Sequence, residues 1–177
     1  MKLTTRQLTL CAVLTALALG LSTLENLFPV TLVIPLPGVK LGLANIVTVF
    51  ALYQLGPLPA LCILAARCLL GSLFAGNASA LLFSLLGGTL AMLVMLALSR
   101  LPGLSVYGVS IGGAAAHNIG QMAAALITLG NTAVLGYLPF LLAVSLFTGA
   151  LTGFVSALLL RAMSHVKLSH GRSADNG

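Results

Sequence analysis

Apolar residues run along this chain in long blocks, broken by short stretches rich in proline, glycine or charge. Matching those blocks to the roughly 20 residues that an α-helix needs to cross a bilayer predicts spans at 5–27, 39–55, 58–74, 79–99, 106–129 and 134–163. The second and third are short, each at the lower limit of about 17 residues for crossing. The first block begins after Lys2 and Arg6 as a signal peptide would, but its run is long and no small-residue cleavage pattern follows it, so it reads as a retained helix. The expected architecture is an all-α, six-helix membrane domain over residues 1–165, followed by a polar, disordered tail at 166–177.

An even number of crossings puts both termini on one side, and the basic residues choose which. Lys2, Arg6, Arg100, Arg161, Lys167 and Arg172 then all face the cytoplasm, with only Lys40 outside and Arg67 within the third span. The first outer connection contains Pro29, Pro35 and Pro37, which exclude a regular helix interior. Lipid cannot satisfy its backbone, so it is read either as an interfacial loop or as a flap over a binding site.

Composition narrows the chemistry. Of 177 residues 59% are hydrophobic and only 6% charged, which excludes a soluble domain. The two acidic residues are Glu25 and Asp175, and Asp175 lies in the tail. One carboxylate in the membrane part is too few for magnesium-assisted diphosphate chemistry or for hydrolysis by paired acids, so no enzyme activity is expected. No nucleotide-binding Gly-x-x-x-x-Gly-Lys loop is present, and any ATP-driven function requires a partner. The net charge of +6 is scattered at the ends of apolar blocks, which fits topology and not nucleic acid. Cys11, Cys62 and Cys68 lack Cys-x-x-Cys spacing and behave as small hydrophobes; no metal or other cofactor is implied.

Small residues mark where helices approach one another in lipid. Gly112, Ala116 and Gly120 share a stripe of the fifth helix and Gly149 and Gly153 one of the sixth, and these read as internal packing. Ala12, Ala16 and Gly20 form a similar stripe on the first helix, where Ala12 and Ala16 fall in the cytoplasmic half and are open to a docking partner.

The intramembrane polar residues gather toward the outer half: Glu25 and Asn26, Lys40 and Asn45, Asn77, and His117 with Asn118 and Gln121. An arginine at the depth of Arg67 costs on the order of 3 kcal/mol unless it is paired or faces a wet cavity. Glu25 is its expected partner, and Arg67 serves a structural ion pair, faces an anionic ligand, or snorkels toward the membrane surface. His117 and Gln121, four apart, share one helix face, and with Asn118 they supply either interhelical hydrogen bonds or ligand contacts. With one peripheral acid and one such histidine, autonomous proton-coupled transport is disfavoured. A substrate-capturing subunit fits better, with Arg67, Asn45, Lys40, Asn77, His117, Asn118, Gln121 and Glu25 as its candidate binding residues. Arg67, Lys40 and His117 favour an anionic small molecule, and Phe28, Phe74, Tyr137 and Phe140 are the outer aromatics available to stack on a ring.

The run Pro37-Gly38-Val39-Lys40-Leu41-Gly42-Leu43-Ala44-Asn45, preceded by Ala12-x-x-x-Ala16 and followed by His117-Asn118-x-x-Gln121, resembles the Gx transporter family, also catalogued as heptaprenyl diphosphate synthase component I. The resemblance covers about residues 3–163. That family is similar in turn to the S components of energy-coupling-factor (ECF) transporters. The resemblance implies a six-helix subunit that captures a vitamin-like micronutrient, with a transmembrane coupling protein and two ATPase subunits as partners. It makes Ala12 and Ala16 the docking surface, the first outer loop the gate, and the outer polar residues the ligand contacts. The synthase name implies, at most, an accessory subunit of a prenyl diphosphate synthase.

Overall fold

The computed structural model describes residues 4–27 and 42–163. Lys40, Phe28, the prolines of the first connection, the Asn26 side chain and the C-terminal tail lie outside the described part. Within it the chain is all helix: α1 (Thr5–Leu27), α2 (Asn45–Gln54), α3 (Pro57–Ala75), α4 (Ala78–Leu98), α5 (Val106–Leu129) and α6 (Leu138–Met163). A 3₁₀ turn over Thr132–Tyr137 leads into α6, where one continuous span from 134 was expected.

The helix ends follow local chemistry. Gly56, with φ near +92°, precedes Pro57 at the first position of α3, where a missing N–H leaves nothing unbonded. Gly76 and Gly130 close α3 and α5 in left-handed conformation. Asn77 caps α4 by accepting from the Ser79 amide at 2.9 Å, and Ser105 caps α5 by accepting from the Gly108 amide at 3.3 Å.

Four elements are long and apolar enough to cross a membrane: α1, α3, α4, and α6 with its leading turn. The surface agrees. Leu73, Phe74, Ile127 and Phe147 are among many large apolar side chains left exposed, while Thr15, Glu25, Asn45, Arg67, His117, Asn118 and Gln121 are buried. In water this arrangement would be inverted; in lipid the outward apolar surface is solvated and the polar groups are gathered inside. Hydroxyls follow the same logic, as when Thr15 donates to the Cys11 carbonyl at 2.7 Å one turn back. The molecule is a multi-pass membrane protein. α5 has 24 residues, long enough to cross, but carries its polar groups on a buried face.

The expected second span, 39–55, is corrected. Gly42 is non-helical with φ near +86°, a turn follows at Leu43 and Ala44, and the helix runs only over Asn45–Gln54. Ten residues rise about 15 Å, roughly half the hydrocarbon thickness. Every residue of α2 from Asn45 to Leu52 is buried, and α2 touches all five other helices. It is an interior half-helix, which explains why its sequence is apolar all round.

Glycine permits the closest helix contacts. A Cβ at Gly120 would collide with the Leu86 carbonyl and stand 2.8 Å from the Gly87 Cα, locking α5 to α4 backbone to backbone. Cβ atoms at Gly149 and Gly153 would stand 2.6 Å from the Ile111 Cα and 3.1 Å from the Tyr107 Cα, bringing α6 onto α5. These stripes are internal packing, as their small residues suggested.

Candidate functional site

The start of α2 lies among α1, α3, α4 and α5, and there the buried polar residues converge on a small cavity. Its lining includes Ser22 and Glu25 from α1, Gly42 and Ala44 before α2, Arg67 and Cys68 from α3, Ser84 from α4, and His117 and Gln121 from α5. The cavity volume is about 30 Å³, room for a water or two.

Arg67 comes from the middle of α3, ten residues and about 15 Å from its start. Its Nη2 donates to Asn45 Oδ1 at 3.2 Å, tying α3 to the first residue of α2. Its Nε is buried with no hydrogen-bond partner among the described residues. Gly88 brings α4 onto α3 beside the guanidinium: a Cβ there would stand 2.6 Å from Leu64 Cδ1 and, in ordinary contact, 3.4 Å from Arg67 Nη2. Gly87 makes room for the α5 pair. A Cβ there would stand 3.0 Å from both His117 Cε1 and Nδ1 and 3.1 Å from Gln121 Cγ.

Glu25 faces the same cavity as Arg67, and its carboxylate also reaches across to the backbone. Oε1 accepts from the Gly42 amide at 2.6 Å and Oε2 from the Leu43 amide at 3.2 Å. The carboxylate thus sits at the head of the α2 half-helix, where backbone N–H groups and the helix dipole both favour negative charge. Gly42 is required there twice over. Its backbone is left-handed, and a Cβ would stand 3.0 Å from Asn45 Nδ2 and 3.4 Å from His117 Cδ2.

Of the eight residues expected to bind ligand, Glu25, Arg67, His117 and Gln121 line the cavity, and Asn45 stands behind Arg67 and holds it. Asn118 is buried but turned to α6, where its Nδ2 donates to the Leu141 carbonyl at 2.8 Å. Asn77 is exposed at the α4 cap, away from the cavity lining. Lys40 lies outside the described residues. Phe74, Tyr137 and Phe140 are exposed and do not line the cavity. Residue-type reasoning missed Gly42, Gly87, Gly88 and Cys68. The Gly87-Gly88 pair inside the most apolar helix was the readable signal, because glycine there marks a close approach.

A second concavity, of about 390 Å³, lies outside the bundle between α1 and α3. It is lined by Leu8, Cys11, Ala12, Thr15, Ala16 and Leu19 from α1 and by Cys62, Ala66 and Leu70 from α3. Ala12, Ala16 and Gly20 are exposed, and a Cβ at Gly20 would touch nothing within 4 Å. Unlike the α5 and α6 stripes, this small-residue row is left uncovered by the described residues.

The fold and the two concavities define a helical multi-pass membrane protein with a polar centre and an uncovered small-residue groove. The family model described as "Heptaprenyl diphosphate synthase component I" matches residues 14–159, and the chain belongs to that family. No curated protein matches the chain. No solved structure matches it either.

Proposed function

We propose that the chain is the substrate-binding membrane subunit, the S component, of an ECF-type importer for a vitamin-like or other small, anionic micronutrient. In this reading both termini are cytoplasmic, α2 together with the chain before it counts as one of six passages through the plasma membrane, and the chain has no catalytic residue of its own. The observation that carries the reading is the central cavity, where Arg67 Nε offers a buried N–H without a described acceptor. An acceptor group on a ligand satisfies that donor, and a charged donor–acceptor pair in a water-poor centre is strong. The groove over Ala12 and Ala16 supports the second half of the reading, a docking face for a transmembrane coupling protein that works with two ATPase subunits. The small-molecule substrate and those subunits are the partners; nucleic acid is not.

Mass spectrometry of small molecules extracted from gently purified protein tests the binding half. A stoichiometric compound, lost in Arg67→Ala, is the expected result; protein that is empty under all mild conditions would overturn it. For the docking half, Ala12→Leu with Ala16→Leu should leave the bound compound in place and reduce uptake by cells at least roughly tenfold, since two leucines fill a surface that needs small residues. Undiminished uptake would remove the docking assignment.

The family's description favours a second reading, in which the chain is a non-catalytic accessory membrane subunit of a prenyl diphosphate synthase. The single carboxylate in the membrane part is consistent with an accessory role. Co-purification of a soluble prenyl synthase, with no ATPase subunits, would decide for this reading.

A further inference from the structure

A cavity of about 30 Å³ receives a water or two, whereas sites for small organic ligands are typically some 300 Å³ or more. Among the described residues, room for a ligand of vitamin size therefore requires one wall to move. Four walls are faces of long helices, and the tight α4–α5 contact at Gly87 and Gly120 leaves those two no play. The fifth wall is different in kind: Gly42 and Ala44 belong to a non-helical turn. That turn is fixed by the carboxylate of Glu25, which takes the Gly42 and Leu43 amides on its two oxygens. The turn in turn sets Asn45, and Asn45 holds Arg67.

We propose that the Glu25 carboxylate is the latch of this cavity, a positioning residue that holds the Gly42–Asn45 turn as its movable wall and, through Asn45, aims Arg67. The inference rests on the reading that the cavity takes a ligand, and it changes the role of Glu25 within it. Glu25 acts on the backbone of its own chain, and the site enlarges when those two hydrogen bonds release. A carboxylate suits the task because both oxygens are used at once and because the head of a half-helix favours negative charge. Gln, with one oxygen and one NH₂ group, can accept from only one of the two amides.

Cys68 reports on the wall without any ligand, since it lines the same cavity and is shielded, 2% exposed. The parent protein carries Cys11→Ala and Cys62→Ala, which leave Cys68 as the sole thiol. Its labelling rate is measured with N-ethylmaleimide in detergent, below the unfolding transition of every variant. Losing a charge-assisted hydrogen bond should raise the open population, and with it the labelling rate, roughly 10- to 100-fold in Glu25→Gln. Gly42→Ala strains the same turn from the other side and is expected to accelerate labelling similarly. Because both act on one contact, the double variant should be no faster than the faster single variant.

Three results would overturn the latch: slow labelling in Glu25→Gln, accelerations that multiply in the double variant, or recovery of slow labelling in Glu25→Gln with Arg67→Gln. The last would make Glu25 a counter-ion to Arg67 and nothing more. If Glu25→Gln does not fold, Gly42→Ala alone still decides, since labelling as slow as the parent's would refute a wall held at that turn. An empty cavity in the extraction experiment would sink the binding reading while leaving these rates intact, so the two failures are distinguishable.

Discussion

Adding one methyl group at Gly120 tests the α4–α5 contact on which the cavity depends. A Cβ on this residue meets the Leu86 carbonyl and lies 2.8 Å from the Gly87 Cα, against about 3.4 Å for ordinary contact. Both obstacles are backbone, so neither can rotate away, and the two helices must part by at least about 0.6 Å where Gly87 packs on His117 and Gln121. Overpacking of this kind costs about 1–3 kcal/mol. Alanine also raises helix propensity over glycine by up to about 1 kcal/mol, which partly masks the clash. Gly20→Ala supplies the reference, because it carries the same propensity gain into open space. The difference between the variants isolates the clash. At about 2–4 °C per kcal/mol for a chain of this size, Gly120→Ala should melt roughly 2–12 °C below Gly20→Ala. Thermal unfolding in detergent, followed by a thiol-reactive dye that reports the buried Cys11 and Cys68, gives both midpoints on one scale. Equal midpoints, or the reverse order, would refute the backbone contact and with it the rigid walls assigned to the cavity.

Two further measurements separate packing from binding. Asn118→Ala removes the α5–α6 hydrogen bond to the Leu141 carbonyl and should cost about 1 kcal/mol of stability while leaving any co-purified compound bound; loss of the compound at unchanged stability would return Asn118 to the ligand. Ser110 and Thr152 face each other at 2.6 Å, both buried, so a cycle of Ser110→Ala and Thr152→Val should show a coupling of about 1 kcal/mol; additive effects would mean the hydroxyls find other partners as easily.

The long elements could be read directly from the chain. Lipid imposes one length and one polarity on every crossing helix, so α1, α3, α4 and α5 fall within a residue or two of their expected bounds. That rule fails for α2 for a physical reason. A helix buried on all sides by other helices is as apolar as one bathed in lipid, and hydropathy alone cannot distinguish a half-helix in the interior from a short crossing. Gly42 was the distinguishing residue, but a glycine among leucines is also tolerated inside membrane helices, and only its left-handed backbone reveals the break.

The site divides along the same line. Arg67, Glu25, His117 and Gln121 were legible because a polar group in lipid must find a neighbour, whatever its sequence distance. Their full sets of partners were not legible, since the pattern of types could not tell a side-chain partner from a backbone one. Glu25 was matched to Arg67 by charge, and the two do attract across the cavity they share; what residue types did not show is that Glu25 also takes two backbone amides seventeen and eighteen positions away and that an Arg67 Nη2 hydrogen goes to a neutral asparagine. The break in α2 creates both features together: it exposes backbone N–H groups inside the membrane, and it puts Asn45 at the depth of Arg67. A full-length second helix would have buried those amides in its own ladder and left Glu25 with no turn to hold. The half-helix is therefore the element from which the cavity, its movable wall and the orientation of its arginine all follow.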